Sequence, residues 1–90
     1  MNVKNMHSGN GNKVPNQFIL TADDGTRVFQ SYETTIARIN GITGGITLDA
    51  DAWAYSRTTA KYRNLFLGLT TAETKRKIKS GEIALANLNQ

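Results

Sequence analysis

The segment from Trp53 to Gly68 concentrates residue types that could hold a nucleotide or another negatively charged ligand. It contains the single tryptophan of the chain and two of its three tyrosines, mixed with hydroxyl-bearing and basic side chains. Aromatic rings stack on bases, cations neutralise phosphates, and the free amides at a helix N-terminus attract anions. The candidate binding residues in this segment are Trp53, Tyr55, Ser56, Arg57, Thr58, Thr59, Lys61 and Arg63.

The same residue types also fit simpler roles. A lone tryptophan such as Trp53 often anchors a small core, and hydroxyl groups near the start of a helix often only cap it. Exposed Tyr, Trp and Arg side chains are also typical of protein interfaces. The segment therefore leaves open whether its ligand is a nucleic acid or a protein.

A second basic cluster, Lys75, Arg76 and Lys77, is the other candidate binding surface. Between Arg57 and Lys79 the chain carries seven basic residues against a single acid, within a protein of net charge +4. Such a basic half attracts phosphate backbones or an acidic protein surface, although a solvated helix face has the same composition.

Residues suited to catalysis or metal binding are scarce. The only histidine is His7, near the N-terminus, and there is no cysteine, which fits a reducing compartment. Asp49 and Asp51 could bind a cation or serve acid–base chemistry, but they are better explained as solvated loop residues ahead of a helix, where negative charge is favoured. The glycine-rich stretches lack the lysine and the Ser/Thr of a phosphate-binding loop. The sequence therefore predicts a non-enzymatic protein with no cofactor and no metal.

Extended structure is predicted for the first half of the chain. Residues 18–20 and 27–30 flank Asp23-Asp24-Gly25, a tight-turn signal that indicates a hairpin. The stretch from Ser31 to Asn40, with its β-branched residues, favours another strand, although the spacing of Ile36 and Ile39 also fits a short helix. A further strand is predicted at 46–48. The sum is three or four antiparallel strands.

A helical period replaces this pattern after Asp51. One apolar stripe is formed by Tyr62, Leu65, Phe66 and Leu69. It predicts a helix over residues 58–67, with Thr58 or Thr59 as its N-cap and Gly68 at its end. Lys61 and Arg63 flank the stripe and are predicted to point outward.

A second helix, over residues 71–80, has the clearest local signals. Thr70 and Glu73 spell a capping box, and Gly81 can close the helix in a left-handed conformation. The predicted fold class is therefore α+β: a small antiparallel sheet followed by two short helices packed on one face. The predicted core is Phe18, Ile19, Phe29, Tyr62, Leu65, Phe66 and Ile78.

The domain organisation predicted from composition is simple. Residues 1–13, rich in Asn, Gly and Lys, are expected to form a flexible N-terminal tail, and residues 14–90 a single α+β domain. The alternating apolar residues from Ile83 to Leu88 fit either a last strand or a tail docked on the sheet. The longest apolar run is too short to span a membrane.

The chain contains a series of short motifs, each occurring once. They read Val14-Pro15-Asn16-Gln17-Phe18-Ile19, Phe29-Gln30-Ser31-Tyr32, Leu48-Asp49, Trp53-x-Tyr55-Ser56-x-Thr58-Thr59-x-Lys61-Tyr62-Arg63-x-x-Phe66-Leu67-Gly68, Glu73-Thr74 and Lys77-Ile78-Lys79-Ser80-Gly81-Glu82. In this pattern the chain resembles a widespread, functionally uncharacterised family of small proteins encoded by bacteriophages, prophages and other mobile elements. It departs from the family pattern at Ala54, where relatives often carry Asp, and in a longer turn over residues 41–45.

The resemblance implies a phage context and a location in the host cytoplasm, without implying an activity. Phage accessory proteins of this size commonly bind a host macromolecule, which is an analogy at the level of the family. We therefore expect an accessory protein that binds nucleic acid through its basic, aromatic-containing helical half. The alternative is a protein-binding inhibitor of a host complex, such as an anti-defence protein of the anti-CRISPR type or a transcription inhibitor. No membrane partner is predicted, and the oligomeric state is left open.

Overall fold

Six strands and two helices make up residues 1–89, the part of the chain that the computed structural model describes. The strands are β1 (Asn2–His7), β2 (Lys13–Thr21), β3 (Arg27–Ser31), β4 (Thr34–Ile39), β5 (Ile46–Asp49) and β6 (Ile83–Ala86). The helices are α1 (Arg57–Leu67) and α2 (Thr71–Ser80). No helix within residues 1–89 is long and apolar enough to cross a membrane.

The strands form one sheet in the order β1-β2-β3-β4-β5-β6. Neighbours are antiparallel as far as β5, whereas β5 and β6 run parallel. Because a parallel pair needs a long crossover, both helices lie in the connection between β5 and β6. The α+β class with two helices is confirmed, but the prediction of three or four strands, all antiparallel, is wrong.

Strand β1 lies where the sequence predicts a flexible tail over residues 1–13. Its polar sequence carries no alternating apolar pattern. It is held instead by antiparallel pairing with β2, in a register that runs from Asn2 opposite Thr21 to Asn5 opposite Phe18. Residues 2–7 therefore form one edge of the sheet.

The hairpin between β2 and β3 turns where the sequence predicts it. The Ala22 amide donates to the Thr26 carbonyl oxygen at 2.8 Å, and Gly25 has a φ of 88°. A second turn packs tightly against this one, because a Cβ on Gly41 would lie only 2.3 Å from the Gly25 carbonyl carbon. Only a glycine fits at position 41 without moving the hairpin.

The two helices cover one face of the sheet. The row of residues that lie opposite one another on that face is Ile19, Phe29, Ala37 and Leu48. The Phe66 ring of α1 lies 5.9 Å from the Phe29 ring, and Ile78 of α2 packs against the same cluster. The buried apolar residues are Met6, Phe29, Ile36, Ala37, Leu48, Tyr62, Phe66 and Ile83.

The predicted core is confirmed in part. Phe29, Tyr62 and Phe66 are buried, whereas Ile19 and Ile78 are half-buried at its margin. Leu65 is wrong, since its side chain is 58% exposed. Phe18 is half-buried and, as the strand neighbour of Ile19, faces the opposite side of the sheet, which the helices do not cover.

Candidate functional site

Helix α1 is capped by Ser56, the hydroxyl-bearing residue that the sequence does not single out as the cap. Ser56 has an extended backbone (φ −152°, ψ 159°), and its Oγ accepts from the Thr59 amide at 3.1 Å. The predicted caps Thr58 and Thr59 are therefore wrong. Gly68 ends the helix in a left-handed conformation, as predicted.

Thr59 serves in packing and is not available to a ligand. Its side chain is buried, with Oγ1 at 2.9 Å from Ser56 Oγ and 3.5 Å from Ser31 Oγ. The chain of three hydroxyl groups joins the start of α1 to the end of β3. By contrast, Ser56, Arg57 and Thr58 are exposed.

The aromatic candidates separate into two environments. Trp53 is half-buried and packs against the core, whereas Tyr55 is 51% exposed. Tyr62, the third aromatic of the segment, is buried. Of the two candidates, Tyr55 is the one that can stack freely on a ligand.

The orientation of the Arg63 side chain is where the structure differs most from the predicted site. The sequence predicts that it points outward, but its side chain is completely buried. The guanidinium donates from Nη1 to the Trp53 carbonyl at 2.6 Å and from Nη2 to Thr71 Oγ1 and Asn64 Oδ1, each at 2.9 Å. Its Cζ also lies 5.2 Å from the centroid of the Trp53 ring. Arg63 therefore ties the segment before α1, α1 itself and the start of α2 together.

Burial lowers the pKa of Arg63 below its ordinary value because it disfavours the charged form. An arginine nevertheless stays protonated in a protein. Within residues 1–89 no carboxylate forms an ion pair with it, and Nε is buried without a hydrogen-bond partner. The charge is thus stabilised by neutral oxygens and the indole ring.

The exposed cations of the two helices form two stripes on the outer surface of the helical layer. On α1, Arg57 and Lys61 are exposed one turn apart. On α2 the exposed cations are Lys75, Arg76 and Lys79. We call these five residues the basic stripes. Lys79 was not among the candidate residues, although its i+4 and i+3 spacing from Lys75 and Arg76 predicts a shared face.

The acids of the helical half are engaged in local contacts. Glu73 accepts from the Thr70 amide at 2.9 Å, which completes the predicted capping box. Hydrogen bonds from the backbone and side chain of Thr70 lower the pKa of Glu73, with a smaller contribution from nearby cations. Lys77, the remaining candidate, forms an ion pair with Glu82 at 2.8 Å, so it is less available to a ligand than its neighbours.

Asp49 is an anchor for the chain and not a solvated loop residue. Its buried carboxylate accepts from the amides of Ala52 and Leu88, each at 2.9 Å, and of Asp51 at 3.2 Å. Desolvation acts to raise the pKa of Asp49, but these hydrogen bonds, with one from the Asn89 side chain, lower it overall. Asp51 is exposed and does not join it in a cation site. In residues 1–89 there is no cluster of three or more His, Cys, Asp or Glu side chains that could hold a metal.

These features define a small α+β protein whose helical layer presents exposed cations beside one exposed tyrosine. The sequence profile of a family of unknown function (DUF8033) matches residues 1–82, and the chain belongs to that family. No curated protein and no solved structure matches the chain. The predicted membership of an uncharacterised family agrees with this match, while the phage origin stays a prediction.

Proposed function

We propose that the protein binds nucleic acid through the basic stripes, chiefly by contacts to phosphate. The observation that supports this proposal is the set of five exposed cations on the outer surfaces of two adjoining helices. Phosphate contacts of this kind supply most of the affinity in sequence-independent binding. The role is one of binding, without catalysis or a cofactor.

The basic stripes are free to meet an external anion. The ion pairs within residues 1–89 join the N-terminal amine to Asp23 and Lys77 to Glu82, so neither involves a cation of the stripes. Glu73 is occupied by its cap and Glu82 by Lys77. A phosphate backbone would therefore not have to displace an internal carboxylate.

The resemblance to phage-encoded proteins extends the proposal to a biological setting. In that setting the protein is a phage accessory protein that acts on nucleic acid in the host cytoplasm. Trp53 and Arg63, which were candidates for direct contact, would then support the surface from within, because they hold the start of α1 against α2.

A second candidate function is inhibition of a host protein complex, and one observation supports it. Leu65 is 58% exposed and lies one helical turn beyond Lys61 on the outer face of α1. A leucine contributes little to phosphate binding, whereas an apolar side chain next to cations fits an acidic protein surface with an apolar pocket.

Removal of two cations from α1 should separate phosphate binding from general charge effects. Arg57→Ala combined with Lys61→Ala should weaken binding to a labelled oligonucleotide by about 10- to 100-fold in about 50 mM salt. The reason is that a phosphate no longer contacted by the protein keeps its counterion, so the favourable release of that counterion is lost. The measurement is fluorescence polarisation, with thermal unfolding as the check that the variant is folded.

A matched double variant provides the control. Lys4→Ala with Lys13→Ala removes the same charge from exposed positions in β1 and β2. It should change affinity less than threefold or so, since neither residue belongs to the basic stripes. Equal losses for both double variants would argue against the proposed surface, and absence of oligonucleotide binding by the wild type would favour the protein-binding candidate.

A further inference from the structure

Tyr32 has a backbone conformation that a bulky side chain rarely adopts. Its φ is 56°, in the left-handed region, and its amide donates to the carbonyl of Asn16 at 2.6 Å. Asn16 itself has a φ of 66°. Asparagine tolerates this region comparatively well, whereas a tyrosine there costs conformational free energy that Gly or Asn would largely avoid.

The ring of Tyr32 has no visible role in the fold. The side chain is 60% exposed. Within residues 1–89 its hydroxyl makes no hydrogen bond and its ring no aromatic or cation contact. Only its backbone is used, since its carbonyl accepts from Gln30 Nε2 at 2.8 Å. Strained residues that the fold does not need are found preferentially at functional sites.

Tyr32 lies at the same end of the molecule as Tyr55 and the first cation of the basic stripes. Ser31 and Ser56 both contact Thr59 through their hydroxyl groups, at 3.5 and 2.9 Å. Tyr32 follows Ser31 in the chain, and Tyr55 precedes Ser56. Two exposed tyrosines therefore lie near the start of α1, where Arg57 begins the stripes.

We propose that Tyr32 and Tyr55 are stacking platforms for unpaired bases, so that the ligand of this surface is single-stranded nucleic acid. This inference rests on the proposed function and narrows its ligand. Aromatic side chains stack on the splayed bases of single strands, and the bases of a duplex are not available to them. The cations of α1 would then hold the phosphates that follow the stacked bases.

The first test compares ligands on the intact protein. Binding to single-stranded and double-stranded oligonucleotides of one sequence, as DNA and as RNA, is measured by fluorescence polarisation in about 50 mM salt. Single strands of at least one sugar type should bind about tenfold or more tightly than the duplex. Equal or tighter binding to the duplex would overturn the inference and leave the proposed function intact. Absence of binding to all four ligands would overturn the proposed function itself.

The second test removes each ring. Tyr32→Asn and Tyr55→Ala should each weaken single-strand binding by roughly 5- to 150-fold, the range expected for loss of one stacked base. Tyr32→Phe and Tyr55→Phe should keep most of the affinity because the ring remains. Glu33→Ala, in the same turn as Tyr32, is the matched control and should not weaken binding.

The stability of the Tyr32 variant separates a binding role from a structural one. Tyr32→Asn should unfold at the same temperature as the wild type or higher, because Asn adopts the left-handed conformation more readily. A midpoint lowered by more than about 4 °C would mean that the fold uses the ring, and would overturn the inference. Unchanged single-strand affinity in both ring-removal variants would also overturn it.

Discussion

Phe66→Ala should lower the free energy of unfolding by roughly 3–5 kcal/mol, a large share of what a small domain has. The Phe66 side chain is 7% exposed and its ring lies 5.9 Å from that of Phe29. The Arg27 guanidinium also lies 5.5 Å from the Phe66 ring centroid. Removal of the ring therefore opens a cavity between α1 and the sheet. Urea unfolding followed by circular dichroism gives the loss directly.

The neighbouring residue is the control for this prediction. Leu65→Ala should cost less than about 1 kcal/mol because the Leu65 side chain is mostly exposed. Similar losses for the two variants would mean that α1 presents a different face to the sheet from the one described.

Arg63→Ala should lower the free energy of unfolding by about 2–4 kcal/mol. The variant leaves the Trp53 carbonyl without its guanidinium donor, and an unsatisfied buried acceptor costs about 1–3 kcal/mol. Thr71 Oγ1 loses one of its two donors and keeps Asn64 Nδ2, and the lost packing of the buried Arg63 side chain adds to the cost. Relief of the desolvation of a buried cation offsets part of this loss. The emission of Trp53 should change at the same time, because the guanidinium lies against its ring.

Lys61→Ala is the matched change on the same helix. Lys61 is exposed, and its Nζ lies 5.4 Å from the Tyr62 ring, a contact worth at most about 1 kcal/mol. Urea unfolding and tryptophan fluorescence of the Arg63→Ala and Lys61→Ala variants measure the difference between them. An Arg63→Ala variant as stable as Lys61→Ala would contradict the role of Arg63 as the tie between the two helices.

Elements specified by neighbouring residues could be predicted from the sequence. Helix α2 has a capping box at Thr70 and Glu73 and ends at Gly81, and the structure places both features as predicted. The turn at Gly25 is equally local. In each case the signal depends on residues only a few positions apart, so no knowledge of the tertiary structure is needed.

Elements specified by distant partners could not be predicted. Strand β1 has a polar sequence and exists through its pairing with β2. The cap of α1 was a choice among three nearby hydroxyl-bearing residues, and Thr59 is taken into the interior, where it meets Ser31, 28 residues away in the chain. The predictions of the strand number and of the α1 cap were therefore wrong for the same physical reason: both features depend on residues that are distant in the sequence.

The candidate site shows the same division. Exposure of Lys61 agrees with its predicted outward orientation. Arg63, like Lys61, flanks the apolar stripe in the sequence. Its burial depends on acceptors from the segment before α1 and from the start of α2. Charge and periodicity alone do not distinguish a buried arginine that joins three segments from an exposed arginine that is available to bind a ligand.

The dependence of nucleic-acid affinity on salt tests the central claim most directly. If all five cations of the basic stripes contact phosphates, a plot of log K against log salt should have a slope of about −3.5 for single strands and −4.5 for duplexes. Affinity would then fall roughly 100- to 500-fold between about 50 and 200 mM salt. A folded variant with all five cations changed to Ala should bind weakly with a slope near zero. No binding by the wild type at about 50 mM salt, or the same slope in the variant, would contradict the account.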